Sequence, residues 1–254
     1  MIEKAKTAIW FARRPAFWAH GAELARRKFL PDYDGTQLRS EAGAWAARQA
    51  VPIGEALARL GISGELRGMN KAALDAGYER ARQSAVEMGG PGDLDLLFDA
   101  VRLTGAKRVV ETGVAYGWSS FAILSGLAET DGGHLWSVDM PYPKQGNERF
   151  VGIVVPEELR PRWTLIREPD RKGLEKAIRA AGGTLDLCHY DSDKSWHGRG
   201  YAFPLLWEAL APGGVFISDD IQDNMYFAEF VTEKSLTYAI TESDGKYVGI
   251  FRKT

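Results

Sequence analysis

The chain has 254 residues, which is enough for one large α/β domain with an appendage or for two small domains. Its composition, 45% hydrophobic and 26% charged residues, is ordinary for a globular protein, and its formal net charge of −2 gives no support to a nucleic-acid-binding function. A single cysteine, Cys188, excludes an intramolecular disulfide, and no apolar run reaches the roughly 20 residues of a membrane-spanning helix. We therefore expect a cytoplasmic protein.

Positive charge is concentrated in residues 1–30. Seven basic side chains there stand against Glu3 and Glu23, so the segment carries +5 and the remainder −7. A basic helix rich in aromatic side chains can lie on a membrane surface. The alternative, favoured by the frequency of Trp and Phe at protein contacts, is packing on the main domain or on a second subunit. A peripheral membrane contact and a homo-oligomer therefore both stay open.

Helical patterns occupy the first 90 residues. Apolar residues recur at three- and four-residue spacing over residues 44–60 and 71–88, and Pro52 is expected to break the first of these helices. The run of Gly and Pro over residues 89–92 is a strong breaker. We therefore predict a helical extension over residues 1–90 and a catalytic domain over residues 91–254.

Strands alternate with helices after residue 92. Strands are predicted at residues 108–111, 135–139, 163–167, 185–190 and 215–218, and helices at residues 93–104, 119–127, 172–181, 201–210 and 225–233. Two closing strands, residues 236–240 and 247–252, are joined by the turn signal Asp244-Gly245. The order predicts an α/β fold that is Rossmann-like and doubly wound. Its seven-stranded sheet should be mostly parallel, with one antiparallel edge strand.

A glycine loop follows the first of these strands. It reads E-T-G-V-A-Y-G over residues 111–117, and glycine permits both a tight turn and the close approach of a ligand to the backbone. The pattern differs from the dinucleotide fingerprint G-x-G-x-x-G, and the acid Glu111 suits a cationic ligand better than a pyrophosphate. The second strand ends at Asp139, where a carboxylate can accept hydrogen bonds from a ribose diol.

Residues 109–139 resemble motif I and the second-strand acid of class I S-adenosylmethionine (SAM)-dependent methyltransferases. The resemblance implies that the glycine loop lines SAM through Gly113, Ala115, Gly117 and Ser119. It also implies that Glu111 lies near the amino-acid end of SAM and that Asp139 binds the ribose. Glu168 and Asp170, after the third strand, would lie near the adenine, although the family often has Gly-Asp-Ser or Gly-Asp-Ala there. Asp191, after the fourth strand, completes the candidate cofactor residues.

Acidic side chains follow the fourth and fifth strands. Asp191 ends the fourth strand, while Asp219 and Asp220 end the fifth, so the three carboxylates can converge at one sheet edge. Carboxylates that converge repel one another unless a cation lies between them, and oxygen ligands select Mg²⁺, Ca²⁺ or Mn²⁺. Many methyltransferases nevertheless carry acids at these positions without metal, and Asp219 and Asp220 could instead cap the following helix.

This arrangement is similar to that of the metal-dependent O-methyltransferases, the catechol and caffeoyl-CoA group and the bacterial sugar and antibiotic group. The resemblance implies that Asp191, Asp219 and Asp220 bind the metal, with Mg²⁺ the first candidate. Lys194 stands where the catechol group keeps its general base, and Asp193 stands where the sugar-modifying group keeps an acidic one. His197 is a third candidate, and the sequence does not choose among them.

The sequence thus predicts a SAM-dependent methyltransferase that transfers a methyl group to a hydroxyl of a small molecule with the help of a divalent metal. One alternative is a metal-independent N- or O-methyltransferase acting on a lipid- or glycan-type intermediate. A nicotinamide-dependent oxidoreductase is disfavoured because the chain lacks G-x-G-x-x-G. A non-catalytic SAM-binding protein is a further alternative.

Overall fold

The computed structural model describes residues 2–130, 132–141 and 146–254, with side chains from residue 7 onward. Its helices are α1 (Ile2–Ala12), α2 (Trp18–Arg27), α3 (Thr36–Ala47), α4 (Ile53–Arg59), α5 (Lys71–Ala81), α6 (Leu94–Thr104), α7 (Trp118–Ala128), α8 (Asp170–Ala180), α9 (Trp196–Ala209) and α10 (Tyr226–Glu233). Its strands are β1 (Arg108–Thr112), β2 (His134–Val138), β3 (Trp163–Ile166), β4 (Leu185–Tyr190), β5 (Leu210–Ser218), β6 (Tyr238–Ser243) and β7 (Lys246–Arg252). Within the described ranges, no helix is both long and apolar enough to cross a bilayer.

The seven strands form one sheet in the order β3-β2-β1-β4-β5-β7-β6. Parallel pairing runs from β3 through β5, while β7 pairs antiparallel with both β5 and β6. The predicted Rossmann-like sheet is confirmed. Among the described residues β7 is the one antiparallel strand, and it lies beside the edge strand β6. The order along the chain reverses between β1 and β4, which is where ligands bind in sheets of this kind.

Both faces of the sheet are covered, so its central strands β1 and β4 are buried almost throughout. One core cluster contains Val109 and Leu187 with residues of α6 and α7, and the other contains Val110 and Cys188 with residues of α8 and α9. Neighbouring strand residues alternate between the two clusters because successive side chains point to opposite faces. Cys188 is accordingly a buried packing residue.

The helices that precede residue 90 share these cores. Ala46 of α3 packs in one cluster and Leu57 of α4 in the other, and the Val51 amide donates to the carbonyl oxygen of Ile240 in the edge strand at 2.8 Å. The domain division at residue 90 stays a prediction. Pro52 breaks the first predicted helix as expected, because α3 ends at Ala47 and α4 begins at Ile53.

Several boundaries differ from the sequence prediction. Helix α3 begins at Thr36 rather than at residue 44, and α5 ends at Ala81 rather than at residue 88. Helix α9 begins at Trp196, five residues before the predicted start at 201, because the Ser195 side chain accepts from the Gly198 amide and caps the helix. Strand β5 begins at Leu210, which the pattern placed in the preceding helix, because the backbone of Leu210 is already extended (φ −70°, ψ 131°). Boundaries depend on such single caps and dihedral angles, which periodicity does not encode.

Candidate functional site

A cavity of about 770 Å³ opens at the carboxyl ends of the parallel strands. Its floor is formed by the glycine loop after β1 and by the ends of β2, β4 and β5. One wall is the glycine-rich segment 87–92, and another is α2 near the N-terminus. Of the predicted site residues, those that line it are Gly113, Ala115, Ser119, Asp139, Asp191, Asp193, Lys194 and Asp219.

The glycine loop takes its shape from three residues with positive φ. Gly113 has φ 80°, Ala115 φ 47° and Gly117 φ 88°, and the Gly113 amide donates to the carbonyl oxygen of Val138 at 2.8 Å. A Cβ at position 113 would lie 2.2 Å from the Asp191 carbonyl oxygen, so the loop passes against the end of β4 only because this residue has no side chain. Gly117 begins α7, although it does not itself line the cavity.

Asp139 lies beneath the loop at the end of β2. Its Oδ1 atom accepts from the Val114 amide at 3.0 Å, and Oδ2 pairs with the Arg167 guanidinium. Burial raises the pKa of Asp139, while Arg167 and the backbone amides oppose that rise. The carboxylate is therefore held rigidly at the cavity wall, beside the glycine loop.

Glu111 lies outside the cavity, fully buried between β1 and β4. Its Oε2 atom accepts from Ser120 at 2.5 Å and from Ser137 at 2.7 Å, and its Oε1 atom lies 3.5 Å from His189 Nδ1. Nε2 of the same imidazole lies 3.2 Å from Asp219 Oδ1. Burial opposes a charge on His189, but Asp219 and Glu111 outweigh it and raise the pKa of His189 to about 10. A protonated imidazole thus joins the two acids at neutral pH.

Lys194 lies between carboxylates at the acidic end of β4. Its Nζ atom is 3.0 Å from Asp191 Oδ1 and also contacts Asp220 Oδ2. Burial opposes the charge, but Asp191 and Asp220 raise the pKa of Lys194 above its usual value. Burial together with Asp219 raises the pKa of Asp191 to about 6. Asp220 itself is buried behind the cavity wall, where Gln222 Nε2 donates to it at 3.1 Å.

These carboxylates do not fit a divalent ion as they stand. The Lys194 ammonium already occupies the position between Asp191 and Asp220, and Asp219 is turned toward His189. Across the parts of the chain that the structure describes, no group of three His, Cys, Asp or Glu side chains is arranged to hold a metal. Positive charge at this edge comes instead from Lys194 and His189.

The other two base candidates differ in position. Asp193 lines the cavity, where its Oδ2 atom accepts from Arg27 at 2.5 Å and its Oδ1 atom from Ser195 Oγ at 2.7 Å. His197 lies outside the cavity, with its ring 6.0 Å from that of Tyr33.

The acid after β3 that reaches the cavity is Asp170 rather than Glu168. Glu168 pairs with Lys176 at 2.5 Å and does not line the cavity. Asp170 accepts from Ser192 Oγ at 2.5 Å, and burial raises its pKa to about 6. Of the two acids implied for the adenine side, Asp170 therefore lines the cavity and Glu168 does not.

Sequence reasoning missed the wall that α2 contributes. His20, Glu23, Leu24 and Arg27 line the cavity, at the i, i+3, i+4, i+7 spacing of one helix face. Burial lowers the pKa of His20, so this ring is neutral at neutral pH. Glu23 pairs with Arg27 at 2.5 Å and with Arg171 of α8. The available signal was the helical spacing that places the polar residues His20, Glu23 and Arg27 on one face of α2.

The segment 87–92 was also missed as part of the site. The sequence predicts only a boundary at the breaker of residues 89–92, yet Met88, Gly90 and Gly92 line the cavity. A Cβ at position 92 would lie 2.8 Å from Asp219 Oδ2, and the Tyr116 hydroxyl donates to the carbonyl oxygen of Val86 at 2.6 Å. Gly92 thus permits close approach to Asp219, a role that a breaker pattern does not distinguish from a linker.

Known proteins resemble this chain in sequence and in fold. Residues 110–221 match the family model described as a methyltransferase domain, whereas no curated protein sequence matches the chain. The O-methyltransferase TomG of Streptomyces achromogenes, involved in tomaymycin synthesis and solved with SAM, superposes with a TM-score of 0.57. The two are 17% identical, over 74% of this chain and 93% of TomG.

Two further structures were solved with S-adenosylhomocysteine. An O-methyltransferase from Bacillus cereus has a TM-score of 0.56 and 16% identity, over 83% of this chain and 99% of its own. The Podospora anserina methyltransferase PaMTH1 has a TM-score of 0.54 and 14% identity, over 89% of this chain and 98% of its own. The match over residues 110–221 and the common sheet set the nicotinamide alternative aside. Residues 110–221 thus match a methyltransferase domain, and the chain shares the fold of O-methyltransferases that were solved with SAM or S-adenosylhomocysteine.

Proposed function

We propose that the protein transfers a methyl group from SAM to a hydroxyl oxygen of a small molecule. The observation that supports this most directly is the shared cavity, in which the glycine loop and Asp139 stand beside Asp191, Lys194 and Asp219. Similarity in fold to O-methyltransferases agrees with it. The cavity volume of about 770 Å³ lies within the usual size of small-molecule sites, roughly 300–1,000 Å³, and favours a small acceptor over a macromolecule.

In this proposal the glycine loop and Asp139 hold the cofactor. Backbone amides after Gly113 and at the start of α7 donate to its polar groups, and the Asp139 carboxylate accepts from its ribose hydroxyls. Bound SAM supplies an electrophilic methyl group. Asp170 lines the cavity close to the end of β3 and takes the adenine side in place of Glu168.

Lys194 and the carboxylates around it receive the acceptor. Its ammonium can donate to the acceptor oxygen and stabilise negative charge that develops there. The proton of the hydroxyl needs a second group, since the Lys194 ammonium cannot accept one. The cavity offers the Asp219 carboxylate and the neutral imidazole of His20 for that purpose.

Assistance by Mg²⁺, which the resemblance implies, remains a separate prediction. Its donors would be Asp191, Asp219 and Asp220, and they can receive an ion only if Lys194 first leaves the position between them. The placement of Lys194 favours the metal-independent alternative, in which the ammonium supplies the positive charge.

Isothermal titration calorimetry tests cofactor and metal separately. The protein, treated with EDTA, is titrated with SAM in the absence and presence of Mg²⁺, and transfer of labelled methyl to a panel of hydroxylated small molecules is then measured. We expect micromolar SAM affinity that falls at least tenfold in Asp139→Asn, and methyl transfer that survives EDTA. Absence of SAM binding contradicts the whole proposal, whereas transfer abolished by EDTA and restored by Mg²⁺ supports the metal-dependent version.

A further inference from the structure

Helix α2 has a second face, opposite the cavity. At 100° per residue, Trp18, Ala22, Ala25 and Phe29 fall within roughly 60° of one another around the helix axis. All four are exposed, Trp18 by 57% and Phe29 by 87%. Phe29 follows the last helical residue, but its amide still donates to the Arg26 carbonyl oxygen at 3.0 Å, so the turn continues through it. The stripe formed by these four residues is called the outer face below.

The inner face fixes the direction in which the outer face points. His20 and Arg27 lie roughly 180° from Trp18 around the axis. Arg27 Nη1 is 2.5 Å from Asp193 Oδ2, and Lys172 Nζ donates to the Ala16 carbonyl oxygen at 3.2 Å. Helix α2 is therefore anchored by its polar face, and its apolar stripe is turned to solvent rather than into the core.

Cations flank the outer face on both sides. Arg26 and Lys28 lie at roughly 80° on either side of Trp18, and both are exposed. Arg13 and Arg14, at the turn between α1 and α2, are exposed as well. Over residues 7–30 the acid is Glu23, which faces inward and is neutralised by its ion pairs with Arg27 and Arg171. The solvent side of this region thus combines bulky apolar groups with positive charge.

We infer that the outer face docks on an anionic lipid surface. Trp18 and Phe29 can enter the boundary between headgroups and acyl chains, while Arg26 and Lys28 extend their stems toward phosphate groups. A second copy of this chain fits the surface less well, because a two-fold contact would bring like charges together. The excess of +5 in residues 1–30 against −7 elsewhere would orient the molecule with this side toward the membrane.

The docked orientation has a structural consequence for the cavity. The helix that would rest on the lipid also forms a cavity wall through His20, Glu23 and Arg27. Acceptors that partition into the interface would then meet the protein beside its cavity rather than on the far side of the sheet. This inference does not depend on the chemistry of the reaction, and it can be tested without any methyl acceptor.

Vesicle co-sedimentation of the full chain tests the inference. The probes are vesicles of phosphatidylcholine alone and of phosphatidylcholine mixed with phosphatidylglycerol. We expect binding to the anionic vesicles that weakens as salt is raised, and little binding to the neutral ones. The variant Trp18→Ser/Phe29→Ser should bind at least tenfold more weakly, and Arg26→Glu/Lys28→Glu should lose the preference for anionic lipid.

The matched control is Leu66→Ser, which removes an exposed apolar side chain (43% exposed) far from α2 in the sequence. It should bind vesicles as the unaltered protein does, and thermal unfolding should show that all variants are folded. Equal binding by Trp18→Ser/Phe29→Ser and by the unaltered protein overturns the inference. A failure to bind anionic vesicles at low salt also overturns the inference. This holds even if the same face is then found to mediate self-association in analytical ultracentrifugation or to bind a single-stranded oligonucleotide.

Discussion

At the scale of single residues, the site is governed by how buried charges are neutralised. Lys194 lies between Asp191 and Asp220, and His189 lies between Glu111 and Asp219. Two cations thus balance four carboxylates in a small volume, which is the condition under which buried acids can remain ionised. Removal of one cation should therefore change both the rate of methyl transfer and the affinity of the site for other cations.

Lys194→Met tests that balance directly. The substitution keeps the length of the side chain but leaves Asp191 and Asp220 without their cation, so mutual repulsion should favour an external ion. We expect methyl transfer to fall at least 100-fold while Mg²⁺ affinity, measured by calorimetry, rises. Lys246→Met is the control, because Lys246 Nζ is 3.7 Å from Asp220 Oδ1 and its side chain is 57% exposed. Tighter Mg²⁺ binding by the unaltered protein than by Lys194→Met would contradict this explanation of the role of Lys194.

Two Asp→Asn substitutions should change stability in opposite directions. Burial raises the pKa of Asp170 to about 6, so the folded protein carries a costly charge there once the pH exceeds that value. Asp170→Asn should raise the free energy of unfolding at about pH 8 by about 1–2 kcal/mol, since the cavity leaves the group partly hydrated. The gain should shrink as the pH falls and vanish below about pH 3, where the carboxyl group is protonated in both the folded and the unfolded state.

Asp186 provides the matched contrast. Partial burial opposes its charge, but hydrogen bonds from Arg108 and from two backbone amides outweigh burial and lower the pKa of Asp186. Its contribution to stability is present above the ordinary carboxyl pKa and is lost as the pH falls through the lowered one. Asp186→Asn should therefore destabilise the protein at neutral pH, by an amount that shrinks in acid. Urea unfolding across the pH range measures the free energy of unfolding of both variants. A change of the same sign in the two variants would contradict the opposite pKa shifts of Asp170 and Asp186.

At the scale of elements, α2 is a wall of the cavity held by side-chain contacts. The pairs Arg27–Asp193 and Glu23–Arg171 join residues far apart in the sequence, and Asp34 Oδ1 accepts from the Trp196 amide at 2.8 Å a few residues further on. Such contacts can open without any loss from the hydrophobic core, because α2 buries no residue fully. Helix α2 should therefore be among the less stable parts of the fold.

Arg27→Ala should loosen that wall. Loss of the contact with Asp193 raises the KM for the acceptor, by about tenfold, while SAM affinity changes little. Arg26→Ala, one residue away on the exposed side, should leave both constants unchanged in solution. Steady-state kinetics with each substrate varied in turn makes the measurement. An equal rise in both KM values would show instead that α2 positions the cofactor.

Local sequence patterns were sufficient to predict the sheet and part of the site. They do not predict contacts between residues that are far apart in the sequence. The strands were predicted because short β-branched and apolar runs alternate with helical patterns, and Gly113, Asp139 and Asp191 were predicted because each directly follows a strand. The sequence does not assign His20 to the site, because its neighbours Asp193 and Arg171 lie far along the chain. The partner of Glu111, His189, is likewise separated from it by a crossover. No window of the sequence contains either pair.

At the scale of the whole molecule, the cavity joins parts that the sequence suggested were separate. Segment 87–92, α2 and the strand ends all contribute to it, and α3 and α4 share the cores beneath the sheet. A ligand that fills such a cavity contacts both sides of the predicted boundary at residue 90. Binding of that ligand should then stabilise the parts of the chain on both sides of this boundary.

Hydrogen exchange with and without SAM tests this coupling. At SAM concentrations about 100-fold above Kd, the folded state gains about 2.7 kcal/mol. We expect slower exchange of amides in α2 and in segment 87–92, not only in the glycine loop. The hairpin of β6 and β7 is the internal reference, because it does not line the cavity and its exchange should change little. Protection confined to residues after 92 would show two independent units.

Gly113 sets limits on how this enzyme can be redesigned. A side chain there meets the Asp191 carbonyl oxygen at 2.2 Å, and that strand end cannot retreat without losing the hydrogen bond of 3.0 Å from its amide to Thr112. The backbone geometry at the ends of two strands therefore excludes any residue other than glycine at position 113. Helix α2 carries no comparable constraint, since its cavity contacts are made by side chains. A library for new acceptors should accordingly randomise His20, Glu23 and Leu24 and leave the glycine loop intact.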